Sequence, residues 1–306
     1  MHIPDGFLKT EVWAAFDLIS VSTIGYLSHR AKGAGSERQV PLLGVMGAFV
    51  FAAQMINFPV GIGTTGHLLG STLLAITVGP VPATLVLAVI LGIQALVFQD
   101  GGLLAWGANT FNMALCGVVA GYLPYYLLGS GRLRSVSIFL GGLLSVVTGG
   151  VLALLMLKVS GAPLTATIFM GSLTLFVVTG ILEGAITVTV VQAIERLNPA
   201  FVKAPGTNLP SLTKLVLAAA CALVIVGILF ASSLPDGLEK VAVSMGIEKH
   251  KWILMQAPLA NYEMPVLGSS YLRKSTAGLI GIGLVYAACL LLARLIRRQR
   301  MFGGNS

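Results

Sequence analysis

Residues 81–99 read VPATLVLAVILGIQALVFQ, nineteen consecutive positions without a charge. As a helix rising 1.5 Å per residue this stretch extends about 28 Å, close to the thickness of a bilayer's hydrocarbon layer. Moving outward from it, apolar segments recur near 10–29, 41–57, 67–79, 108–129, 136–157, 168–195, 213–232 and 272–293. Together these make nine candidate spans. The third is short, and a turn signal, Gly79-Pro80-Val81-Pro82, divides it from the fourth where a charged loop would be usual. Composition points the same way. The 306 residues are 56% hydrophobic and only 10% charged, against roughly 25% charged in a soluble domain. The expected fold class is an all-α integral membrane protein of about nine transmembrane helices.

Charge gives an orientation. Arg30, Lys32 and Arg38 form one basic cluster, Arg132 and Arg134 a second, Arg196, Lys203 and Lys214 a third, and Arg294, Arg297, Arg298 and Arg300 a fourth. Nine spans put all four on one face, which the positive-inside rule assigns to the cytoplasm. The N-terminus is then expected outside and the C-terminus in the cytoplasm, with 57–66, 100–108, 158–167 and 233–271 also outside. The net charge of +8 belongs to these loops and does not call for a nucleic-acid partner. Cys116, Cys221 and Cys289 sit in apolar segments without CxxC spacing, so neither disulfides nor a thiolate metal site is expected.

The outer face carries the chemistry. The chain opens MHIPDGFL, with no small-residue cleavage site to mark a signal peptide, and the bulky His2 is expected to keep Met1 in place. The Met1 amine, the deprotonated backbone nitrogen of His2 and the near ring nitrogen of His2 would close a five-membered and a six-membered chelate ring on one metal ion. One planar position would stay open. Square-planar nitrogen coordination favours nickel(II) or copper(II), with cobalt just below nickel in affinity. In the outer connection NFPVGIGTTGHLLG (57–70), His67 is the candidate fourth ligand. A hydrogen-bonded interfacial histidine is the plain structural alternative.

FQDGGLLAWGANTFNMA (98–114) places Gln99, Asp100, Asn109 and Asn112 among apolar neighbours. Asn109 and Asn112, three apart at a helix start, are expected to share a face. With Asn57 and Asp100 they are candidates for orienting the ligands, or else for helix capping, interhelical hydrogen bonds and an Asp-Gly turn. Glu183 lies within a span, where an ionisable side chain is costly; a protonated interhelical hydrogen bond is the simplest reading of it. Met113 and Met170 read as packing residues.

MHIPDGFL, GTTGHLLG and FQDGGLLAWGANTFNMA together resemble the substrate-binding component of cobalt/nickel energy-coupling-factor transporters, the CbiM/NikM family. The resemblance implies metal ligation by Met1, His2 and His67. PDGLEKVA (235–242) and ANYEMPVLGSSYL (260–272) resemble the small CbiN/NikN accessory component, here fused through RLNPAFVKAPGTNLPSLTK (196–214). The domains expected are a metal-binding membrane domain at 1–197, a cytoplasmic linker at 198–212 and a two-span domain at 213–306. The resemblance implies that its extracytoplasmic loop assists metal loading; Asp236, Glu239, His250 and Glu263 could attract a cation there or simply be solvated.

The chain holds no GxxxxGK[ST] phosphate loop, so the resemblance implies separate partners: a membrane coupling subunit and cytoplasmic ATPases. Gly44, Ala48 and Ala52, four apart, form a small-residue stripe suited either to docking the coupling subunit or to an internal seam. No cofactor is expected; nickel or cobalt is substrate, the latter as uptake for cobalamin synthesis. An intramembrane metal-dependent enzyme is the alternative from another class, but there is no HExxH pair and no general base beside His67. A passive channel would need weak ligands in place of a tight chelate.

Overall fold

The computed structural model describes residues 1–31, 40–61, 63–198, 209–232 and 234–302, with the backbone alone at 209–212 and 297–302. The linker reading at 199–208, together with Lys32, Arg38 and Lys203, lies outside the described residues. What is described is mostly helical: α1 (Thr10–Arg30), α2 (Val40–Gln54), α3 (Ser71–Val78), α4 (Pro80–Ile93), α5 (Trp106–Asn109), α6 (Gly117–Leu128), α7 (Arg134–Val159), α8 (Ala166–Leu197), α9 (Leu209–Gly227), α10 (Gly237–Met245) and α11 (Ser270–Phe302). A small antiparallel pair, β1 (Phe58–Gly61) and β2 (Thr64–Gly66), leads into α3.

Among the described residues five helical stretches are long and apolar enough to cross a membrane: Pro80–Phe98, Trp106–Leu128, Gly131–Val159, Ala166–Leu197 and Ser270–Ile296. α2 and Thr213–Gly227 are shorter apolar helices. The expected span 67–79 is the clearest departure. α3 has eight residues, about 12 Å, and the glycine-rich approach to it runs as strand and extended chain. His67 therefore lies outside the helix, in the connection.

Local chemistry sets the boundaries. Pro80 occupies the first turn of α4, where its missing N–H costs nothing, and Gly79 before it has φ +91°. Thr165 caps α8 by accepting from Ile168 N. Asp236 and Glu239 form a reciprocal capping box on α10, and Gly246 ends that helix at φ +68°. Two π-helical turns interrupt the apolar helices, at Gln94–Phe98 after α4 and at Thr110–Cys116 between α5 and α6. The Ser71 hydroxyl donates to the Met113 carbonyl in the second turn and Thr84 to that of Ala114.

α7 and α8 meet backbone to backbone. A Cβ on Gly142 would stand 2.6 Å from the Gly184 Cα, so only glycine permits this approach. α9 and α11, from the C-terminal third, pack on α2. There Gly44 faces Tyr286 of α11, with a Cβ on it only 2.8 Å from the ring, and Ala48 and Ala52 are fully buried. Gly44 is thus covered by the chain's own last helix, and the burial of Ala48 and Ala52 fits the internal-seam reading of the stripe.

The connections expected on one face do gather at one end of the bundle. Ile3 bonds Asn109, Lys9 N donates to Ser160, Ser232 N donates to the Asn57 carbonyl and Thr65 N to that of Pro235. At the other end Arg134 pairs with Glu195 at 2.5 Å.

Candidate metal centre

The N-terminal segment is threaded into this end of the bundle and held by its own backbone. Asn109 clamps Ile3 from both sides: its Oδ1 accepts from Ile3 N at 2.8 Å and its Nδ2 donates to Ile3 O at 3.0 Å. The Asp5 carboxylate accepts the N–H groups of Leu103, Leu104 and Ala105 at 2.9–3.2 Å, and Gly102 N donates to Ile3 O. The loop after Asp100 and the first five residues thus fix each other.

The result is a buried nitrogen cluster. The Met1 terminal nitrogen is 2.9 Å from His67 Nε2, and the His2 and His67 rings stack with centroids 5.2 Å apart and planes 13° apart. His2 is 5% exposed and His67 7%. His67 Nδ1 donates to the Leu68 carbonyl at 3.0 Å; a carbonyl only accepts, so the proton sits on Nδ1 and the Nε2 lone pair faces the amine. Burial first, then the neighbouring ammonium of Met1 and the His2 ring, push the His67 pKa down to about 3. The ring is neutral at physiological pH.

Two carboxylates balance the cluster. Asp100 Oδ1 lies 3.1 Å from His2 Nδ1, and Asp100 Oδ2 accepts from the Tyr262 hydroxyl at 2.5 Å. Burial would raise the Asp100 carboxyl, but the adjacent His2 ring and the Tyr262 hydroxyl hold it well below its ordinary range. Asp236 Oδ2 accepts from the Met1 ammonium at 2.5 Å. Its carboxyl too is raised by burial and, in net, lowered by the Met1 charge and its hydrogen bonds.

Of the residues anticipated, Met1, His2, His67, Asp100 and Asn109 come together here, the last holding the Ile3 backbone. Asn57 does not; its carbonyl accepts from Ser232 N, at the approach to the C-terminal loop. Asn112, in the second π turn, donates its Nδ2 to Met156 Sδ of α7 at 3.5 Å, and its Oδ1 is buried without a partner. His2 Nδ1, the ring nitrogen expected in the chelate, faces Asp100, and Nε2 is the buried nitrogen without a partner. Among the described residues no group of three His, Cys, Asp or Glu side chains is arranged to hold a metal.

Three contributors escaped the sequence reading. Gln54 Nε2 donates to the Leu69 carbonyl, Gln94 Nε2 donates to Gln54 Oε1 and to the Tyr262 oxygen, and Tyr262 closes on Asp100. This relay joins the His67 segment to the His2 segment through α2, the π-helical turn after α4 and the C-terminal loop. Amides inside otherwise apolar helices were the available signal for Gln54 and Gln94. Nothing local marks Tyr262.

The multi-pass helical bundle buries its N-terminal amine beside two histidines at one end, and its likeness to known proteins places it in the transition-metal transport class of membrane proteins. The chain matches the family model described as CbiM, cobalt uptake substrate-specific transmembrane region, over residues 2–201, and the PDGLE domain over residues 211–298. It belongs to the CbiM family of nickel and cobalt transport proteins of the cell membrane. A putative fused nickel transport protein NikMN of Archaeoglobus fulgidus is 34% identical, covering 97% of this chain and 99% of that one. A probable fused nickel transport protein LarMN of Lactiplantibacillus plantarum is 34% identical over 65% of this chain and 66% of its own. The crystal structure of a transition metal transporter superposes with a TM-score of 0.58 at 29% identity, covering 72% of this chain and 99% of that one. These relatives are transport proteins, which accords with a chain that is not an enzyme.

Proposed function

We propose that this chain is the substrate-binding membrane component of an ATP-driven uptake system for nickel(II) or cobalt(II), and that Met1, His2 and His67 hold the ion. The observation that carries this reading is the 2.9 Å approach of the Met1 amine to His67 Nε2, which accepts from it through its lone pair, while the ring's own proton is held on the far side by the Leu68 carbonyl. The ion would replace the ammonium proton, meet the Met1 and His67 nitrogens directly and recruit the His2 backbone nitrogen. Turning the His2 ring about Cβ–Cγ would free Nδ1 to complete a planar set of four nitrogens. Such a set suits nickel, with cobalt just below it in affinity; the relatives include both nickel and cobalt transport proteins.

The reading includes nine membrane-inserted segments, with α3 as an incomplete one, and a basic cytoplasmic face opposite the metal end. It divides the chain into a metal-binding domain at 1–197, a linker at 198–212 and a two-span domain at 213–306. The engine is supplied in trans, by a membrane coupling subunit and cytoplasmic ATPases. Asp236 and Tyr262 bring the C-terminal domain's loop onto both ends of the nitrogen cluster, which supports a role for that loop in loading.

The test is metal content and visible absorption of the purified chain after exposure to equimolar nickel and cobalt, beside His2→Ala and His67→Ala. One bound ion with a yellow planar-nickel band, lost in both variants, is expected. Stoichiometric metal surviving both substitutions would mean that the ligands lie elsewhere.

A further inference from the structure

Glu183 lies on α8, 0% exposed, facing the non-helical segment that carries His67. Its two carboxylate oxygens accept from Leu69 N at 2.6 Å and Gly70 N at 2.8 Å. These are the open amides at the entry to α3, where a carboxylate is favoured both by the hydrogen bonds and by the helix dipole. The opposite side of the same peptide is also gripped, by Gln54 Nε2 on the Leu69 carbonyl at 2.8 Å. Glu183 therefore faces backbone amides, with both oxygens occupied.

The grip begins two residues past His67. The ring's Nδ1 is bonded to the Leu68 carbonyl, so the direction of Nε2 depends on the path of the backbone at 68–70. That path is unusual: Gly70 has φ +76°, and a Cβ there would come within 2.4 Å of Val50. α8 also shapes the preceding residue, since a Cβ on Gly66 would lie 2.8 Å from the Thr179 hydroxyl. The stretch between β2 and α3 takes a course that needs glycine at position 70, and two buried polar side chains from neighbouring helices hold it there.

We propose that Glu183, with Gln54 opposite it, is the positioning residue of the metal centre, fixing the Leu69–Gly70 backbone so that His67 Nε2 points at the Met1 amine. The inference rests on the reading of His67 as a ligand. Glu183 touches no metal; it sets the geometry in which a tight planar site can close. Outer partners that orient metal ligands typically change affinity 10–100-fold when removed. Glutamine at 183 keeps one acceptor but turns an NH2 group toward the second backbone N–H, so one grip is lost at unchanged size.

The experiment measures nickel affinity of the purified full chain by competition with a chromophoric chelator, well below each protein's melting midpoint, for wild type, His67→Ala, Glu183→Gln and Gln54→Leu. His67→Ala must abolish tight binding; if it does not, the ligand assignment fails and not this inference alone. Given that loss, a drop of about tenfold or more in Glu183→Gln, with a displaced visible band, is expected. Native affinity and an unchanged band in folded Glu183→Gln, whatever its melting midpoint, would overturn the proposal and reduce Glu183 to a structural cap. Should Glu183→Gln fail to fold, Gln54→Leu decides: weakened binding supports the two-sided grip and native binding overturns it.

Discussion

The Met1 ammonium donates across 2.9 Å to His67 Nε2 while Asp236, 235 residues further along the chain, takes another of its protons at 2.5 Å. One amine is thereby shared between the first domain's histidine and the C-terminal loop's carboxylate. If the amine and His67 ligate the ion as proposed, the proton between them must leave for the metal to enter.

If the amine is a ligand, chemistry at the N-terminus has to be intolerable. Adding one residue before Met1, or acetylating it, turns the amine into an amide and leaves no room in the pocket around Met1, which is 9% exposed. Nickel binding measured by metal analysis after gel filtration is expected to fall at least a hundredfold. Binding at wild-type affinity would remove Met1 from the site.

His67 is expected to stay neutral, with its proton on Nδ1, from pH 8 down to about pH 5. The sign follows from its pKa, lowered to about 3 by burial and the Met1 ammonium: the neutral ring is the stable form at every pH above that value. Proton release on metal binding then comes from the amine and the His2 amide, and not from a His67 imidazolium. Nitrogen NMR of ring-labelled histidine reads both tautomer and charge, and an Nε2–H signal for His67 would contradict the assignment.

The Asp236 contact should be acid-sensitive. Its carboxyl is held below the ordinary value near 3.8 in the folded protein, so the stability it contributes is fully present above that unfolded value and is lost as pH falls through the lower folded one. The melting midpoint of metal-free wild type should exceed that of Asp236→Asn by a constant margin between pH 5 and 7. The margin should shrink below about pH 4. A margin that grows on acidification would reverse the sign.

Tyr262→Phe deletes the hydroxyl that donates to Asp100, and with it the link from the C-terminal loop to His2. The Asp100 carboxylate then keeps its contact with His2, and its backbone N–H still donates to the Gln94 carbonyl. Nickel affinity is expected to fall about tenfold with little change in melting midpoint, because the ring still stacks on Phe98 with centroids 4.7 Å apart. A chelator-competition titration checks this; unchanged affinity would leave Tyr262 a packing residue.

Met1, His2 and His67 were legible as candidate ligands in the sequence because their case is local: a terminal amine, the next residue and a histidine placed on the same face by counting spans. Apolar segments and basic clusters likewise announce a membrane bundle through composition, since every polar group buried in lipid is costly. Tertiary structure decided the rest. The Gly44–Ala48–Ala52 stripe offers a surface to any close helix, and only packing shows that Gly44 is covered by α11. The spacing of Asn109 and Asn112 implies one face in a regular helix, and only the structure shows that Asn109 holds the Ile3 backbone while Asn112 donates to Met156. Glu183, Gln54, Tyr262 and Asp236 reach the site from helices and a loop tens to hundreds of residues away; hydrogen bonds of that range are fixed by how the bundle closes, and no local pattern records them.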